Sequence, residues 1–320
     1  MPINNAAILF PGQGSQVVGM GKALCDSIPI AAKTFREADQ ILGFSLSNLC
    51  WEGPTEELNN TINTQPALLT HSIAIFRAIQ EKIPSYNPRY TAGHSVGEYA
   101  ALVAAEALDF GDALRLVRER GSLMHAAGVT IPGGMAAVLG LALEDVESIC
   151  GQILAENAGA VWVANDNCPG QVVIAGENKG IDEASVRLTE AGARKVVRLA
   201  VSIPAHTPLM QPAQNEFKEI LERTAIRSPQ VQVIGNVEAN TLKTADEIRE
   251  DLSAQLISRV RWTESMRTLL SMGATHFYEL GPGKVLTGLM RRIERSVPVR
   301  SLDIPESLVE LEASSQQGFL

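Results

Sequence analysis

The stretch Gly93-His94-Ser95-Val96-Gly97 decides the fold of this chain. A β-prone segment, Tyr90 to Ala92, comes before it, and a helix-prone segment, Glu98 to Ala105, follows it. Strand, sharp turn and helix in this order are the context of a nucleophile elbow, where a strained turn exposes a serine hydroxyl at a helix N-terminus. A glycine-rich turn with an incidental serine is the alternative. The coincidence of motif, strand and helix favours a catalytic Ser95.

Strands and helices alternate along most of the chain, which predicts an α/β fold with a mainly parallel sheet. Ala6 to Phe10 has the composition of a buried strand, and helical patterns then dominate to about residue 82, with a helix start at Gln65-Pro66. A further helix is expected over 112–125. The short acidic segment after Asp303 is expected to be poorly ordered.

Residues 133–200 follow a different pattern, with elements in the order βαββαβ of a ferredoxin-like unit. The strand candidates are 135–140, 161–164, 171–175 and 195–201, and the helix candidates are 144–154 and 181–191. The segment 165–170 between the second and third strands is rich in turn residues. Because the α/β pattern resumes after Pro208, we interpret 131–201 as a subdomain inserted into a larger domain formed by 1–130 and 202–320.

Composition disfavours several classes of protein. The chain has 320 residues, 45% hydrophobic and 20% charged, and a net charge of −9. An acidic chain without a long basic run is a poor nucleic-acid binder, so an acidic partner would need a local basic patch. No apolar run reaches the ~20 residues of a membrane helix, and the N-terminal apolar stretch is too short for a signal peptide. The four scattered cysteines indicate a cytoplasmic protein without a disulfide framework.

A serine nucleophile needs a base, and histidine is the usual base near neutral pH. His206 lies in a proline-bracketed loop at the junction of the two predicted domains, where rigidly held loops often carry catalytic residues. His276 lies in a strand-like segment late in the chain, which suits the Ser–acid–His order of hydrolases. The residues favour His206 only slightly. No acidic residue stands out as the group that orients the histidine, and a main-chain carbonyl can do this without a sequence signature.

Arg120 is the third informative position. It falls on the apolar face of the helix predicted over 112–125, whereas Arg118 falls on the opposite, solvated side. An arginine on an inward face needs a carboxylate, phosphate or carbonyl partner. Two interpretations stay open: a buried structural ion pair, or a guanidinium that binds the carboxylate of a substrate.

The glycine-rich loops do not fit nucleotide-binding motifs. After Gly12-Gln13-Gly14, Val17 stands where a dinucleotide fingerprint has its third glycine, and Gly281-Pro282-Gly283-Lys284 lacks the rest of a Walker loop. Without metal-ligand clusters or a nucleotide fingerprint, we expect neither a metal nor a cofactor. A strand-end loop such as 12–14 can instead aim a backbone amide at an oxyanion, beside the amide of Val96.

Taken together, these motifs closely resemble the malonyl-CoA:acyl-carrier-protein transacylase family of type II fatty-acid synthesis. The resemblance covers nearly the whole chain. Most of the motifs are loose individually, but their order along the chain is specific to the family. The motifs are Phe10-Pro11-Gly12-Gln13-Gly14-Ser15-Gln16, Thr64-Gln65-Pro66-Ala67, Gly93-His94-Ser95-Val96-Gly97-Glu98-Tyr99, Arg120-Gly121, Pro169-Gly170-Gln171-Val172-Val173-Ile174-Ala175-Gly176, Ala205-His206, Gln255-Leu256 and Glu279-Leu280-Gly281-Pro282-Gly283-Lys284. The resemblance implies an α/β-hydrolase-like domain that carries a ferredoxin-like insertion.

Carried over position by position, the resemblance implies Ser95 as nucleophile and His206 as base, in preference to His276. It also implies that the main-chain carbonyl of Gln255 orients the histidine, which agrees with the missing triad acid.

The remaining implied roles concern the substrate. The resemblance implies oxyanion-binding amides at Gln13 and Val96, a malonate-binding guanidinium at Arg120 and a pocket-lining side chain at Asn165. The chain departs from the family at Arg259, where proline is frequent, and at Val96, where leucine is common.

The implied reaction is a ping-pong transfer of the malonyl group from malonyl-CoA to the phosphopantetheine thiol of an acyl carrier protein, through a malonyl-serine. Malonyl-CoA is then a substrate, the phosphopantetheine belongs to the partner, and no resident cofactor, nucleic acid or membrane is involved. Carrier proteins are acidic, and two basic groups are candidate docking patches, with ordinary solvated surface as the alternative. They are Lys284, Arg291, Arg292 and Arg295, and Arg194, Lys195 and Arg198.

Three other functions remain open. A free-standing acyltransferase of a polyketide synthase would use the same chemistry with another carrier protein. A serine thioesterase or esterase would pass the acyl group to water. A non-catalytic scaffold that binds carrier proteins is disfavoured, because nucleophile, base and arginine are all present.

Overall fold

The computed structural model describes residues 5–84, 86 and 88–316, with side chains to residue 312. Its strands are β1 (Ala6–Phe10), β2 (Tyr90–Gly93), β3 (Gly133–Leu139), β4 (Val161–Cys168), β5 (Gln171–Glu177), β6 (Lys195–Arg198), β7 (Gln232–Ile234), β8 (Thr241–Leu242), β9 (His276–Leu280) and β10 (Val299–Leu302). Its α-helices are α1 (Lys22–Ser27), α2 (Pro29–Leu42), α3 (Leu46–Glu52), α4 (Thr55–Asn59), α5 (Thr61–Lys82), α6 (Gly97–Ala104), α7 (Phe110–Thr130), α8 (Leu143–Ala155), α9 (Asn178–Glu190), α10 (Gln211–Arg223), α11 (Ala245–Ala254), α12 (Trp262–Ser271), α13 (Val285–Ile293) and α14 (Pro305–Gln316).

The larger sheet has six strands in the order β10-β9-β1-β2-β7-β8. All neighbouring pairs are parallel except β7 and β8, so the prediction of an α/β fold with a mainly parallel sheet is confirmed. Every residue of β1 and β2 is buried, as expected for central strands covered by helices on both faces. Because parallel strands end at the same edge, the loops after β1, β2 and β7 meet there.

Helix α5 begins earlier than predicted, at Thr61, and Pro66 lies inside it. Proline lacks an N–H, so the carbonyl of Ile62 has no partner in the helical ladder at that position. Arg118 of α7 donates to this carbonyl over 3.0 Å. The predicted solvated position of Arg118 is therefore wrong, because the proline leaves an acceptor that the guanidinium satisfies.

The second sheet has four antiparallel strands in the order β4-β5-β3-β6, with α8 and α9 packed against it around a separate apolar cluster. Strand β4 continues through the predicted turn and ends at Cys168. Register shifts follow Val163 and Asp166, and such bulges accommodate residues that otherwise favour turns. Turn composition alone therefore placed the end of this strand too early.

The acidic C-terminal segment is ordered where the structure describes it. Helix α14 covers most of it, and Leu308 and Leu311 are buried against the main core. The expectation of a poorly ordered segment after Asp303 is wrong for 305–316, because these leucines lie on one helix face; residues 317–320 lie outside the described residues. In the described part of the chain, no helix combines the length and the apolar character needed to cross a membrane.

Candidate active site

The turn between β2 and α6 holds Ser95 in the left-handed region, with φ of 51°. Both flanking glycines are required by close approach of the backbone. A Cβ on Gly93 would lie 2.0 Å from the carbonyl oxygen of Gly97, and a Cβ on Gly97 would lie 2.1 Å from that of Phe10. The predicted nucleophile elbow is present, with Ser95 ahead of the first turn of α6.

Asn236 holds the elbow from the neighbouring strand, and sequence reasoning missed it. It lies two residues beyond β7, and its side-chain oxygen accepts the Ser95 N–H over 2.7 Å. Its amide nitrogen donates to the Gly93 carbonyl over 2.8 Å. The one available signal was a polar residue just after a strand that neighbours β2 at the carboxyl edge of the sheet.

His206 lies beside the serine. Its Nε2 is 2.9 Å from Ser95 Oγ, and its Nδ1 is 2.7 Å from the main-chain oxygen of Gln255. The Gln255 carbonyl can only accept, so Nδ1 carries the proton and Nε2 is free to accept the serine proton. His276 begins β9, where it pairs with Ala6 at the start of β1, and therefore lies at the opposite edge of the sheet.

Burial and the nearby Arg120 charge together lower the pKa of His206 from 6.5 to about 3. Burial contributes most, since a charged imidazolium loses its hydration there. The hydrogen bond to the Gln255 carbonyl acts in the opposite direction. His206 is therefore neutral at physiological pH, the state that a general base requires.

Arg120 is buried, at 1% exposure, and its hydrogen-bond acceptors are all neutral. It donates to the side-chain oxygens of Gln65 and Gln255, both over 2.8 Å, and to Ser95 Oγ over 3.2 Å. The interpretation as a buried structural ion pair is wrong, because the partners within the described residues are amides and a hydroxyl. Burial lowers the pKa of Arg120, yet the guanidinium stays charged. A buried cation with no carboxylate attached can bind an anionic group beside the serine.

Gln255 organises the site through its side chain as well as its carbonyl. It is fully buried and accepts from Arg120 at Oε1. Its Nε2 donates to the carbonyl of Ser95 over 3.2 Å and to Glu98 Oε2 over 2.6 Å. The side-chain contacts were missed because an isolated glutamine has no local pattern that reveals its partners.

Gln13 and Val96 line the same cavity as Ser95. The N–H groups of Gln13 and Val96 lie outside helices and strands, and neither donates to an acceptor in the described chain. The Gln13 side chain is held by Thr61, whose hydroxyl donates to Oε1 over 2.8 Å. Unpaired amides near a nucleophile can hold the oxyanion of a tetrahedral intermediate.

A cavity of about 150 Å³ joins these groups at the seam between the two sheets. A cavity of this size holds a molecule about as large as benzene, so it suits a short acyl group. Asn165 of β4 lines it, together with Gln13, Ser95, Val96, Arg120 and His206. Its apolar wall consists of Met124, Met135, Val173, Leu199, Val201 and Ile203.

The loop after Gln255 is held in place although Arg259 stands where the family frequently has proline. That side chain pairs with Glu147 of α8 and, over 4.0 Å, with Glu264. Next to it, Val260 bonds through its backbone to Ala164 and Asp166 of β4. The Gln255 carbonyl therefore keeps its position without a proline. Among the residues that the structure describes, no His, Cys, Asp and Glu side chains cluster as metal ligands would.

The chain is similar to proteins of known function. The sequence pattern of the acyl transferase domain family matches residues 8–306. The malonyl CoA-acyl carrier protein transacylase of Bacillus subtilis is 45% identical over 306 residues, covering 96% of each chain. That of Escherichia coli K12 is 42% identical over 302 residues, covering 94% of this chain and 97% of the relative.

Solved structures agree with these relatives. A malonyl-transacylase in complex with a type II polyketide acyl carrier protein superposes with a TM-score of 0.94 at 41% identity, covering 97% of this chain and 99% of that one. The malonyl CoA-acyl carrier protein transacylase of Coxiella burnetii superposes with a TM-score of 0.93 at 39% identity, covering 97% of both.

Proposed function

The chain belongs to the acyl transferase domain family, and from this membership we propose that it is a malonyl-CoA:acyl-carrier-protein transacylase of fatty-acid synthesis. The observation that carries the proposal is the line of contacts from the Gln255 carbonyl through His206 to Ser95 Oγ, with the Arg120 cation bound to the same oxygen. A nucleophile, a neutral base and a cation without an anionic partner among the described residues meet in one small cavity.

In the first half-reaction, His206 Nε2 takes the hydroxyl proton as Ser95 Oγ attacks the thioester carbonyl of malonyl-CoA. The amides of Gln13 and Val96 hold the oxyanion, and each such donor typically contributes ~3 kcal/mol in the transition state. The C–S bond then breaks, the coenzyme A sulfur leaves with the proton from His206, and a malonyl ester remains on Ser95.

In the second half-reaction, the thiol of the carrier's phosphopantetheine passes its proton to His206 and attacks the ester. The C–O bond breaks and Ser95 regains its proton. Arg120 binds the free malonate carboxylate in both halves, and Asn165 contacts the acyl group from the small sheet. Protons and electron pairs balance among Ser95, His206 and the two thiols, so the scheme calls for no metal or cofactor.

The architecture supports a two-part description. We propose that 131–201 form a ferredoxin-like subdomain inserted into an α/β-hydrolase-like domain made of 1–130 and 202–320. The antiparallel order β4-β5-β3-β6, formed by strands in the sequence βαββαβ, supports this division. The cytoplasmic location stays a prediction.

For the carrier protein, we propose one continuous basic surface in place of two separate patches. The Gly140 backbone bonds to Gly170 over 3.0 Å, and a Cβ on Gly140 would lie 3.0 Å from Arg194 Cβ. Arg292 donates to the Pro169 carbonyl over 2.8 Å, next to Gly170. Arg194 and Arg292, one from each predicted patch, therefore lie at the same turn. The cavity residue Asn167 is only two residues before Pro169, or ~7 Å along a strand.

Charge reversal tests this docking surface. Lys195→Glu and Arg291→Glu are expected to raise the KM for the carrier about tenfold at low salt, while acylation by malonyl-CoA stays unchanged. Arg223→Glu, an exposed position on α10, is the control. Equal effects in all three variants would show that net charge, and not this surface, governs docking.

The activity itself is tested by incubation with malonyl-CoA and intact-mass measurement. We expect a covalent adduct on Ser95 that persists until a carrier thiol arrives, and none in Ser95→Ala. Rapid loss of the adduct to water would indicate the thioesterase or esterase, and no adduct in the natural protein would indicate a scaffold.

A second carrier is also proposed as a substrate. The structure that superposes on this chain with a TM-score of 0.94 is a malonyl-transacylase in complex with a type II polyketide carrier protein. Steady-state transfer to a fatty-acid carrier and to a polyketide carrier, compared by kcat/KM, distinguishes the two roles.

A further inference from the structure

Two buried carboxyl groups lie behind the catalytic residues and take no part in the reaction described above. Glu98 is fully buried in the first turn of α6, and Asp251 of α11 is 8% exposed. The two residues are neighbours, since Glu98 Oε2 accepts from Gln255 Nε2 over 2.6 Å and the Gln255 N–H donates to the Asp251 carbonyl over 2.8 Å. Two buried carboxyl groups that adjoin favour a single shared proton, because their negative charges repel each other.

The surroundings agree with a single shared proton. Burial, and then the neighbouring Asp251, raise the pKa of Glu98 well above 4.5, and burial raises that of Asp251. The charged groups that act on Glu98 are Asp251 from α11 and Arg120 from α7, and Glu238 acts on Asp251. Arg120 contacts Glu98 through the Gln255 amide, and within the described part of the chain no direct ion pair compensates a second negative charge there.

The hydrogen bonds show which group holds the proton. The two Asp251 oxygens accept the backbone N–H groups of Asn236 and Val237, over 3.3 and 3.2 Å, which favours the charged form of this carboxylate. Glu98 Oε1 is buried and has no hydrogen-bond partner among the described residues, whereas Oε2 accepts from Gln255. A proton on Glu98 Oε1 that points to Asp251 satisfies every atom of the pair.

We propose that Glu98 is a positioning residue that works as a neutral carboxylic acid: it donates to Asp251, accepts from the Gln255 amide nitrogen, and so turns the Gln255 amide oxygen toward Arg120. This inference rests on the proposed function, because Arg120 is the group that binds the malonate carboxylate. A charged Glu98 would partly neutralise Arg120 and weaken its hold on that carboxylate. The neutral acid fixes the guanidinium without competing for its charge.

Substitution of Glu98 tests the assignment directly. The amide of Glu98→Gln donates and accepts at the same places as the protonated acid, so its kcat/KM for malonyl-CoA should stay within about threefold of the natural value. Glu98→Ala releases the Gln255 amide and should lower kcat/KM for malonyl-CoA about tenfold, with a smaller loss for acetyl-CoA, which has no carboxylate. If Glu98→Gln is impaired as strongly as Glu98→Ala, or if Glu98→Ala keeps the natural malonyl-to-acetyl ratio, the assignment is wrong.

An infrared measurement tests the assignment without requiring that the Glu98→Ala variant folds. Infrared difference spectra at neutral pH should show the carbonyl band of a protonated carboxylic acid, absent in Glu98→Gln. Without that band in the natural protein, the neutral acid is refuted. Formation of malonyl-Ser95 by the natural protein is measured in the same series, so a failure of the transacylase function is distinguishable from a failure of the Glu98 assignment.

Discussion

Arg120→Ala should separate malonyl from acetyl substrates. The guanidinium is buried, is held by two neutral glutamine amides and has no anionic partner within the described residues. The malonate carboxylate would supply that partner. Truncation therefore leaves a substrate charge unpaired in the cavity, whereas an acetyl group brings no charge to be satisfied.

The magnitude follows from the cost of an unpaired buried charge. Breaking a buried ion pair by removing one partner typically costs about 3–5 kcal/mol, which corresponds to a loss of roughly 10²–10⁴ in kcat/KM for malonyl-CoA. Arg120 also donates to Ser95 Oγ over 3.2 Å, and loss of that contact affects both substrates alike. The ratio of the two kcat/KM values therefore isolates the carboxylate contact, and we expect it to fall at least a hundredfold.

The assay is quenched-flow acylation of Ser95 by malonyl-CoA and by acetyl-CoA, read by intact mass. Arg115→Ala is the matched control, because this arginine lies on the same helix, is 62% exposed and, among the described residues, forms its ion pair with Asp112 alone. It should leave both rates unchanged. Equal losses for the two substrates in Arg120→Ala would refute the role of the guanidinium as the malonate-binding group.

Four further predictions concern the site and the contacts that hold it in place. Because the pKa of His206 is lowered from 6.5 to about 3, kcat/KM for acylation should stay level from about pH 8 to pH 5, and a midpoint near 6.5 would contradict the assignment. Because the unfolded chain takes up a proton near pH 6.5 and the folded chain does so only near 3, the free energy of unfolding should fall as the pH drops from 6.5 toward 3, a slope that His206→Ala removes in chemical unfolding. Asn236→Ala leaves the Ser95 N–H and the carbonyl two residues before it unpaired, so we expect about 3 kcal/mol less free energy of unfolding and slower acylation; unchanged values would contradict this. Gly97→Ala should prevent folding, because its Cβ would lie 2.1 Å from a β1 carbonyl oxygen. Gly288→Ala is the control, because its Cβ would meet open space, and this variant should fold normally. Soluble expression and circular dichroism compare the two variants.

The sequence was most informative where the signal is local. The elbow around Ser95 combines strand, glycines and helix within a few residues, and the structure has all of them. The choice between His206 and His276 depends on a long-range contact. The parallel pairing of β9 with β1 places His276 at the edge of the sheet opposite Ser95. The residues alone could not supply that pairing.

The parts that sequence reasoning missed are long-range and polar. Asn236 bonds to Ser95 across 141 positions, and Gln255 contacts Glu98 across 157. Asparagine and glutamine residues show no sequence periodicity that would identify their hydrogen-bond partners. Such contacts can be identified only once the strands and helices are placed in three dimensions. The predicted start of α5 at Pro66 is wrong for a related reason, because Arg118, far away in the sequence, satisfies the carbonyl that the proline leaves without a partner inside the helix.

The backbone at the two reacting positions has a consequence for how such a protein can evolve. Ser95 and His206 both have left-handed torsions, φ of 51° and 61°, which disfavour any residue with a Cβ by about 1–2 kcal/mol. Glycine at position 95 would relieve that strain while abolishing the chemistry, whereas glycine at position 206 would also leave a cavity and an unpaired Gln255 carbonyl. Drift without selection for activity should therefore remove the serine first, so continued demand for acyl transfer is what keeps the nucleophile in place.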